Sequence, residues 1–387
     1  MIPDAPVVPY PGCSQTSRLM RSPSTSRVEV PFSARFHFAE SGRHPDGMPV
    51  EGLRMVRHGL LPSGPGSMSG PRFEHRPVML DEVVELLAGV PAGTYLDATL
   101  GGAGHACAVL DAAPQLSLVG LDQDPEAIEA ASAALGRFGP RAIVVRSRFD
   151  RAAEVLDGAG RPGLSAALFD LGVSSPQFDR PERGFSYRAE APLDMRMDPS
   201  RPLSAADVVN GWSERDLTAL FREHGETRFA GRIARAVVAH RPLSTTTELA
   251  AVVRDAIPAP ARRTGGHPAR RVFQAVRVAV NQELSILPAA IDAVLARLVP
   301  GGRCVVLSYH SGEDRIVKDR FRHAATGGCV CPPGLPCVCG AQPTVRLLTR
   351  GSRRPSSAEV EANHRAESVR LRAVEGLGGQ ATEGERR

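Results

Sequence analysis

The chain has almost no lysine. Lys318 stands alone, so nearly all of the 47 Lys and Arg residues are arginine. That bias reads as the mark of a GC-rich genome, not of a special role for arginine. Long hydrophobic runs are also missing. No stretch approaches the ~18 apolar residues of a membrane-spanning helix, and the first residues carry no secretory h-region. The 7 cysteines among 387 residues are too few for a disulfide scaffold, so a reducing cytoplasm is the expected setting. What is present is a 42% apolar content and a formal net charge of +5. The first predicts a largely globular chain, and the length allows two domains. The second, with a pI near 9.0, suits a polyanionic partner.

Residues 1–70 differ from the rest. They are rich in Ser, Pro, Gly and Arg without sustained periodicity, and so little apolar surface cannot offset the entropy of ordering. A disordered extension is expected there, with Met68 as an alternative translation start. Beyond about residue 75, strand and helix patterns alternate. Strands are predicted at Thr94–Ala98, Leu116–Leu121, Ala142–Val145 and Ala166–Leu171. Helices are predicted at Met79–Leu87, from His105 to Leu110, and from Pro125 to Leu135 with proline in the first turn. Such alternation predicts a parallel α/β sheet. It stops between residues 181 and 285, where helical patterns dominate, among them Glu214–Glu223, Phe229–Ala239, Thr247–Ala256 and Arg271–Leu284. It resumes with a helix at Pro288–Leu298, a turn at Pro300–Gly302, a strand at Arg303–Tyr309 and a helix at Glu313–Phe321. Two late strands are expected near Val345–Thr349 and Ser368–Ala373. The reading is a Rossmann-like sheet built from residues 71–180 and 286–387, interrupted by a helical subdomain at 181–285.

Two segments carry the chemistry. Leu96-Asp-Ala-Thr-Leu-Gly-Gly-Ala-Gly-His105 and Leu168-Phe-Asp-Leu-Gly-Val-Ser-Ser-Pro-Gln-Phe178 each run from a buried strand into a tight polar loop. In a doubly wound sheet such loops meet at the carboxyl ends of the strands, where ligands bind. Gly101, Gly102 and Gly104 can bring backbone close to a ligand. Asp122 ends the second strand about twenty residues further on, a spacing that suits an acid holding a ribose. Taken alone, these residues also fit a glycine turn and a surface acid. Ser175-Pro-Gln-Phe178 resembles the loop of enzymes that methylate exocyclic amines of nucleobases. Acceptors there can hold the amine's two N–H groups and aim its lone pair. An aromatic neighbour can stack on an extruded base.

The order of segments then resembles the bacterial RsmH (MraW) family of S-adenosylmethionine-dependent 16S rRNA cytosine-N4 methyltransferases. The segments are His75-Arg-Pro-Val78, the Asp97–His105 loop, Asp170-Leu-Gly-Val-Ser-Ser-Pro-Gln177, Arg183-Gly-Phe-Ser186 and Pro192-Leu-Asp-Met-Arg-Met-Asp-Pro199. Later come His267-Pro-Ala-Arg270, Phe273-Gln-Ala-Val-Arg277 and Tyr309-His-Ser-Gly-Glu-Asp-Arg315. The resemblance implies S-adenosylmethionine as cofactor, with contacts from Ala103, Gly104, His105, Asp122, Phe149, Asp170 and Gln177. It implies a cytidine in the decoding centre of 16S rRNA, within the small ribosomal subunit, as the target. Asp170 and backbone around Ser174, Ser175 and Pro176 would accept from its amine. Phe178, Phe185 or Tyr187 would stack on the base. The family usually has glycine where this chain has Ala103 and serine where it has Ala106. A positive φ at Ala103 would cost about 1 kcal/mol. Competing readings are a DNA cytosine-N4 or adenine-N6 methyltransferase, a non-catalytic ribosome assembly factor and a dehydrogenase. Oligomeric state stays open, a homodimer included.

Four further features have two readings each. His310, after the fifth strand, can take a proton or hold its loop. The 192–199 loop can be pinned by internal salt bridges or can wall a cleft. Arg262, Arg263, Arg270, Arg271 and Arg277, with His267 between, can contact RNA phosphates or be a solvated face. Cys329, Cys331, Cys337 and Cys339 can form a zinc site, but a CxC pair strains simultaneous ligation. Reduced cysteines in a surface loop, and no metal, are expected.

Overall fold

The computed structural model describes residues 76–174, 177–178, 180–262, 267–332 and 336–378. The expectations for residues 1–70, for His75 and for Ser175, Pro176 and Arg263 lie outside them.

Continuous apolar runs make the central strands. β2 (Leu116–Asp122) and β4 (Leu164–Asp170) are buried on both faces nearly end to end, as parallel strands covered by helices must be. β1 (Gly93–Asp97) lies between them, and β3 (Ala142–Arg146) forms one edge. With β5 (Leu298–Ser308), β6 (Val345–Leu347) and β7 (Arg370–Gly376) they form a seven-stranded sheet of order β3-β2-β1-β4-β5-β7-β6. β1 to β5 are parallel, and β7 runs antiparallel to both β5 and β6. The chain order reverses between β1 and β4, which opens a crevice at their carboxyl ends.

One face of the sheet packs α1 (Leu80–Ala88) and α2 (Gly104–Ala112) over Tyr95, Leu118, Leu168 and Leu307. The other packs α4 (Ala152–Gly158) and the helices Glu283–Leu295 and Ser311–Thr326 over Leu96, Phe169 and Val306. α3 (Pro125–Leu135) starts where the proline predicted, with Asp124 accepting from the Glu126 N–H. Between β4 and β5, helices at Ala205–Gly211, Glu214–Glu223, Ala230–Ala239, Thr246–Ala256 and Arg270–Asn281 enclose a separate apolar cluster. It is built on Val208, Phe221, Ile233, Leu249 and Phe273. Among the described residues no single helix is long and apolar enough to cross a membrane.

Two boundaries depart from the pattern. The predicted helix Arg271–Leu284 ends instead at Asn281, because Gln282 takes a left-handed conformation, and the next helix leaves at 57°. Asn281 holds this corner by donating to Met195 O and accepting from Met197 N–H. Pro288 therefore falls inside a helix, not at its start. β5 begins at Leu298, ahead of the predicted Pro300–Gly302 turn, because Gly301 at φ 75° carries the strand through an irregularity in the ladder.

Candidate active site

The crevice between β1 and β4 opens into a cleft of about 320 Å³. The glycine loop, the ends of β2 and β3, the loop after β4 and Tyr309 after β5 line it. Met197, Asn281 and Glu283 close it from the inserted segment.

The glycine loop is held from below. Asp122 Oδ2 accepts from the Gly101 N–H at 2.8 Å, and Oδ1 accepts from the Asp124 N–H at 2.9 Å. Burial pushes the Asp122 carboxyl up, and these N–H groups counter it. The Gln123 N–H also reaches the carboxylate, which still keeps acceptor capacity to spare. Gly101, Gly102 and Gly104 all line the cleft. A Cβ on Gly102 would meet nothing, whereas one on Gly104 would lie 2.5 Å from Pro77 Cγ. Gly104 is thus required by packing against Pro77, beyond any approach to a ligand.

Ala103 departs from the expectation. Its φ is 63°, its methyl is fully buried in the core, and it is not among the residues lining the cleft. Its N–H donates to Leu100 O and its carbonyl accepts from Cys107, so both backbone groups are spent inside the protein. It precedes α2 without capping it by a side chain. The first N–H groups of that helix are therefore open to an anionic group in the cleft.

Asp170 ends β4 and faces the same space. Tyr309 Oη–H donates to its Oδ1 at 2.8 Å, and His105 Nδ1 lies 3.5 Å from its Oδ2. His105 Nε2 is 2.9 Å from Val78 O, which can only accept, so that nitrogen carries a proton and Nδ1 is left to meet the acid. Burial pushes the Asp170 carboxyl up, opposed by His105 and by the Tyr309 hydrogen bond. Behind it, fully buried Asp97 is pushed up to about 7, chiefly by burial, while it accepts from Tyr95 Oη–H and Thr99 N–H. Sequence reasoning passed over Tyr309. It follows Val305 and Leu307 at the two-residue period of a strand, and that period was the available signal.

His310 is displaced from its expected place. It does not line this cleft. Its Nδ1 accepts from Gly312 and Glu313 N–H groups and caps the helix Ser311–Thr326. Its Nε2 lies 3.1 Å from Glu313 Oε1, without hydrogen-bond alignment. The ring faces a second hollow that holds His224, Arg228 and Arg271. The neighbouring residues Tyr309 and Glu313 are the ones that reach the cleft.

Phe149 lines the cleft and meets Phe169 edge to face at 5.9 Å. Gln177 lines it too, but both ends of its amide are engaged. Oε1 accepts from Ser174 N–H, and Nε2 donates to Asp124 Oδ2. Asp124 also pairs with Arg183, and both are nearly buried. Of the proposed stacking residues, Phe185 is core. Tyr187 stacks on His267 at 4.4 Å, and the Arg365 guanidinium covers the Phe178 ring at 4.7 Å. The 192–199 loop is both pinned and cleft-lining: Arg196 pairs with Asp194, and Met197 faces the cleft. Arg277 leaves the basic group, since it is buried against Glu283 at 2.8 Å.

Comparison with known proteins decides what this arrangement belongs to. The MraW methylase family matches residues 72–377. The chain belongs to the MraW methylase family. It is a methyltransferase, and S-adenosylmethionine is its methyl donor. Proteins named ribosomal RNA small subunit methyltransferase H are close relatives of this MraW-family chain. The one from Mycobacterium sp. (strain KMS) is 53% identical over 322 residues, covering 81% of this chain and 86% of its own. That of Symbiobacterium thermophilum is 51% identical over 307 residues, covering 78% and 96%. That of Acidothermus cellulolyticus is 52% identical over 322 residues, covering 81% and 97%.

Proposed function

We propose that this methyltransferase modifies N4 of a cytidine in the decoding centre of 16S rRNA, acting on the small ribosomal subunit in the cytoplasm. Ribosomal RNA of the small subunit is the substrate class named for its relatives. The observation that carries the finer reading is Asp170, set at the cleft end of β4 between Tyr309 and His105.

The cleft suits the cofactor. The uncapped start of α2 offers N–H groups to a carboxylate, Asp122 keeps lone pairs for ribose hydroxyls, and Phe149 offers an aromatic edge beside them. When bound, S-adenosylmethionine supplies an electrophilic methyl group on a sulfonium. The protein's part is to make a poor nucleophile attack it. The N4 lone pair of cytosine is delocalised into the ring. An acceptor on its N–H groups localises the pair and orients it. Asp170 has lone pairs left over from Tyr309 for that purpose. A proton between His105 Nδ1 and Asp170 Oδ2 makes their contact favourable. The proton that the methylated amine must lose can pass to the Asp170 carboxylate and on to water.

The helical segment 181–285 is read as the RNA-recognising part. Its Met197 and Asn281 wall the cleft, and Arg228, Arg270 and Arg271 line the neighbouring hollow, a charge pattern suited to phosphates. The test is methyl transfer from labelled cofactor to 30S subunits, with duplex DNA as a parallel substrate, followed by mapping of the modified nucleotide. Label on one cytidine N4 of 16S rRNA supports the reading. Label confined to DNA, or on another atom, overturns it.

A further inference from the structure

The four clustered cysteines lie in the loop between the helix Ser311–Thr326 and β6, at the opposite end of that helix from Glu313 and the cleft. The spacing argued against shared ligation. The structure shows no such obstacle. All four Sγ atoms lie within 4.8 Å of one another. Cys329–Cys337 and Cys337–Cys339 are 3.5 Å apart, Cys329–Cys339 3.6 Å, and Cys331–Cys337 4.0 Å. Thiolates 2.3 Å from a tetrahedral zinc stand about 3.8 Å from one another. Two disulfides would instead give two bonded pairs near 2 Å. Four of the six separations fall between 3.5 and 4.0 Å and all lie within 4.8 Å, which fits the edges of a tetrahedron and not two bonded pairs.

The surroundings point the same way. Val338 N–H is directed at Cys331 Sγ at 3.4 Å. Helix-ending Gly327 and Gly328, at φ 61° and 71°, turn the chain back so that Cys329 N–H bonds Thr326 O. Thr344 N–H bonds Ala324 O and brings the far end of the loop alongside. Among the described residues of this loop, no buried apolar side chain gathers the thiols. The residues inside the two CxC pairs, Val330 and Val338, are 86% and 89% exposed. A loop without a core needs another source of cohesion, and metal ligation supplies it in small cysteine-rich folds.

We propose that Cys329, Cys331, Cys337 and Cys339 form a tetrathiolate zinc site that fixes this loop against the last strands of the sheet. Each thiol gives its proton to solvent as its sulfur binds the metal. The site is structural, with no open coordination position and no part in methyl transfer.

The test uses the full chain, purified under reducing conditions from zinc-supplemented medium and desalted. Elemental mass spectrometry should find about one zinc per chain. Cobalt exchanged into the protein should give the visible d–d absorption of a tetrahedral thiolate site. Cys337→Ser should lower zinc to below a tenth of an equivalent while S-adenosylmethionine affinity is kept. Should that variant misfold, chelation of the wild-type protein gives a second measurement. Stripping zinc should expose four reactive thiols and make the 329–340 loop sensitive to protease. Less than a tenth of an equivalent of zinc in reduced wild-type protein would overturn the proposal. So would stoichiometric iron, or two disulfides in the intact mass of the freshly isolated chain.

Discussion

The two walls of the cleft are held together by different chemistry. On the side of β1 and β2, backbone groups do the holding: Asp122 clasps Gly101 and Asp124 through their N–H groups, and α2 begins without a side-chain cap. On the side of β4 and β5, side chains do it: Tyr309 and, reaching across from α2, His105 flank Asp170, while Gln177 and Arg183 reach back to Asp124 after β2. A wall of backbone donors presents a fixed shape and suits an invariant cofactor. A wall centred on a buried carboxylate offers an acceptor for N–H groups, which suits the proposed reacting amine. The proposed division gives binding to one acid and chemistry to the other, and mutations can break it.

The largest effect is expected at Asp170. Asp170→Asn keeps the shape and removes the charge, so turnover should fall by ~10²-fold or more, as for loss of one transition-state electrostatic partner. Cofactor affinity, read by calorimetry, should hold. If turnover and affinity fall together, Asp170 serves the cofactor and the division between walls is wrong. The converse holds for Asp122. Asp122→Ala should weaken S-adenosylmethionine binding by about 1–3 kcal/mol, the range for losing a charged acceptor. Unchanged affinity would remove it from the ribose.

How much of this was legible depended on whether local pattern or tertiary packing decided the matter. β2, β4 and α3 were readable because continuous apolar runs and Pro125 act locally. Asp122 and Asp170 were readable because strand ends put acids at the crevice. Tyr309 was missed in favour of His310 because they are adjacent just beyond β5, and only the alternation that continues from the strand separates a cleft residue from a helix cap. Ala103 was expected as a ligand contact from the family resemblance alone, yet its left-handed turn points the methyl into the core. The cysteine geometry was invisible, since it depends on two glycine conformations and on Thr344 returning to Ala324.

Asp97 lies behind both walls and sharpens their coupling. Its carboxyl is held near 7 by burial, against 3.8 when free. The folded chain therefore keeps a proton that the unfolded chain releases between about pH 4 and about pH 7. By linkage, stability falls as pH rises through that window, and the penalty is fully present above it. Asp97→Asn is neutral throughout. Its melting temperature should decline by several degrees less than that of the wild type across the window, whatever its absolute value. Parallel slopes would show that the buried carboxyl is not the group that titrates.

The smallest effect is expected at His310, and it tests the boundary of the proposed catalytic wall. Its Nδ1 caps the helix Ser311–Thr326, which carries Glu313 into the cleft, while His310 itself lines the hollow that holds His224 and not the cleft of Asp170. His310→Ala leaves the Gly312 and Glu313 N–H groups without their acceptor, a loss of about 1 kcal/mol in stability. His310→Asn restores a capping oxygen without restoring an imidazole, and should recover most of the lost melting temperature. Turnover should stay within about threefold of wild type in the Asn variant, because a cap acts through geometry and asparagine supplies it. A proton acceptor would behave differently. Asparagine could not replace it, and the pH–rate profile of the variant would lose a limb. A stable His310→Asn variant with collapsed turnover would therefore extend the proposed catalytic wall past Tyr309.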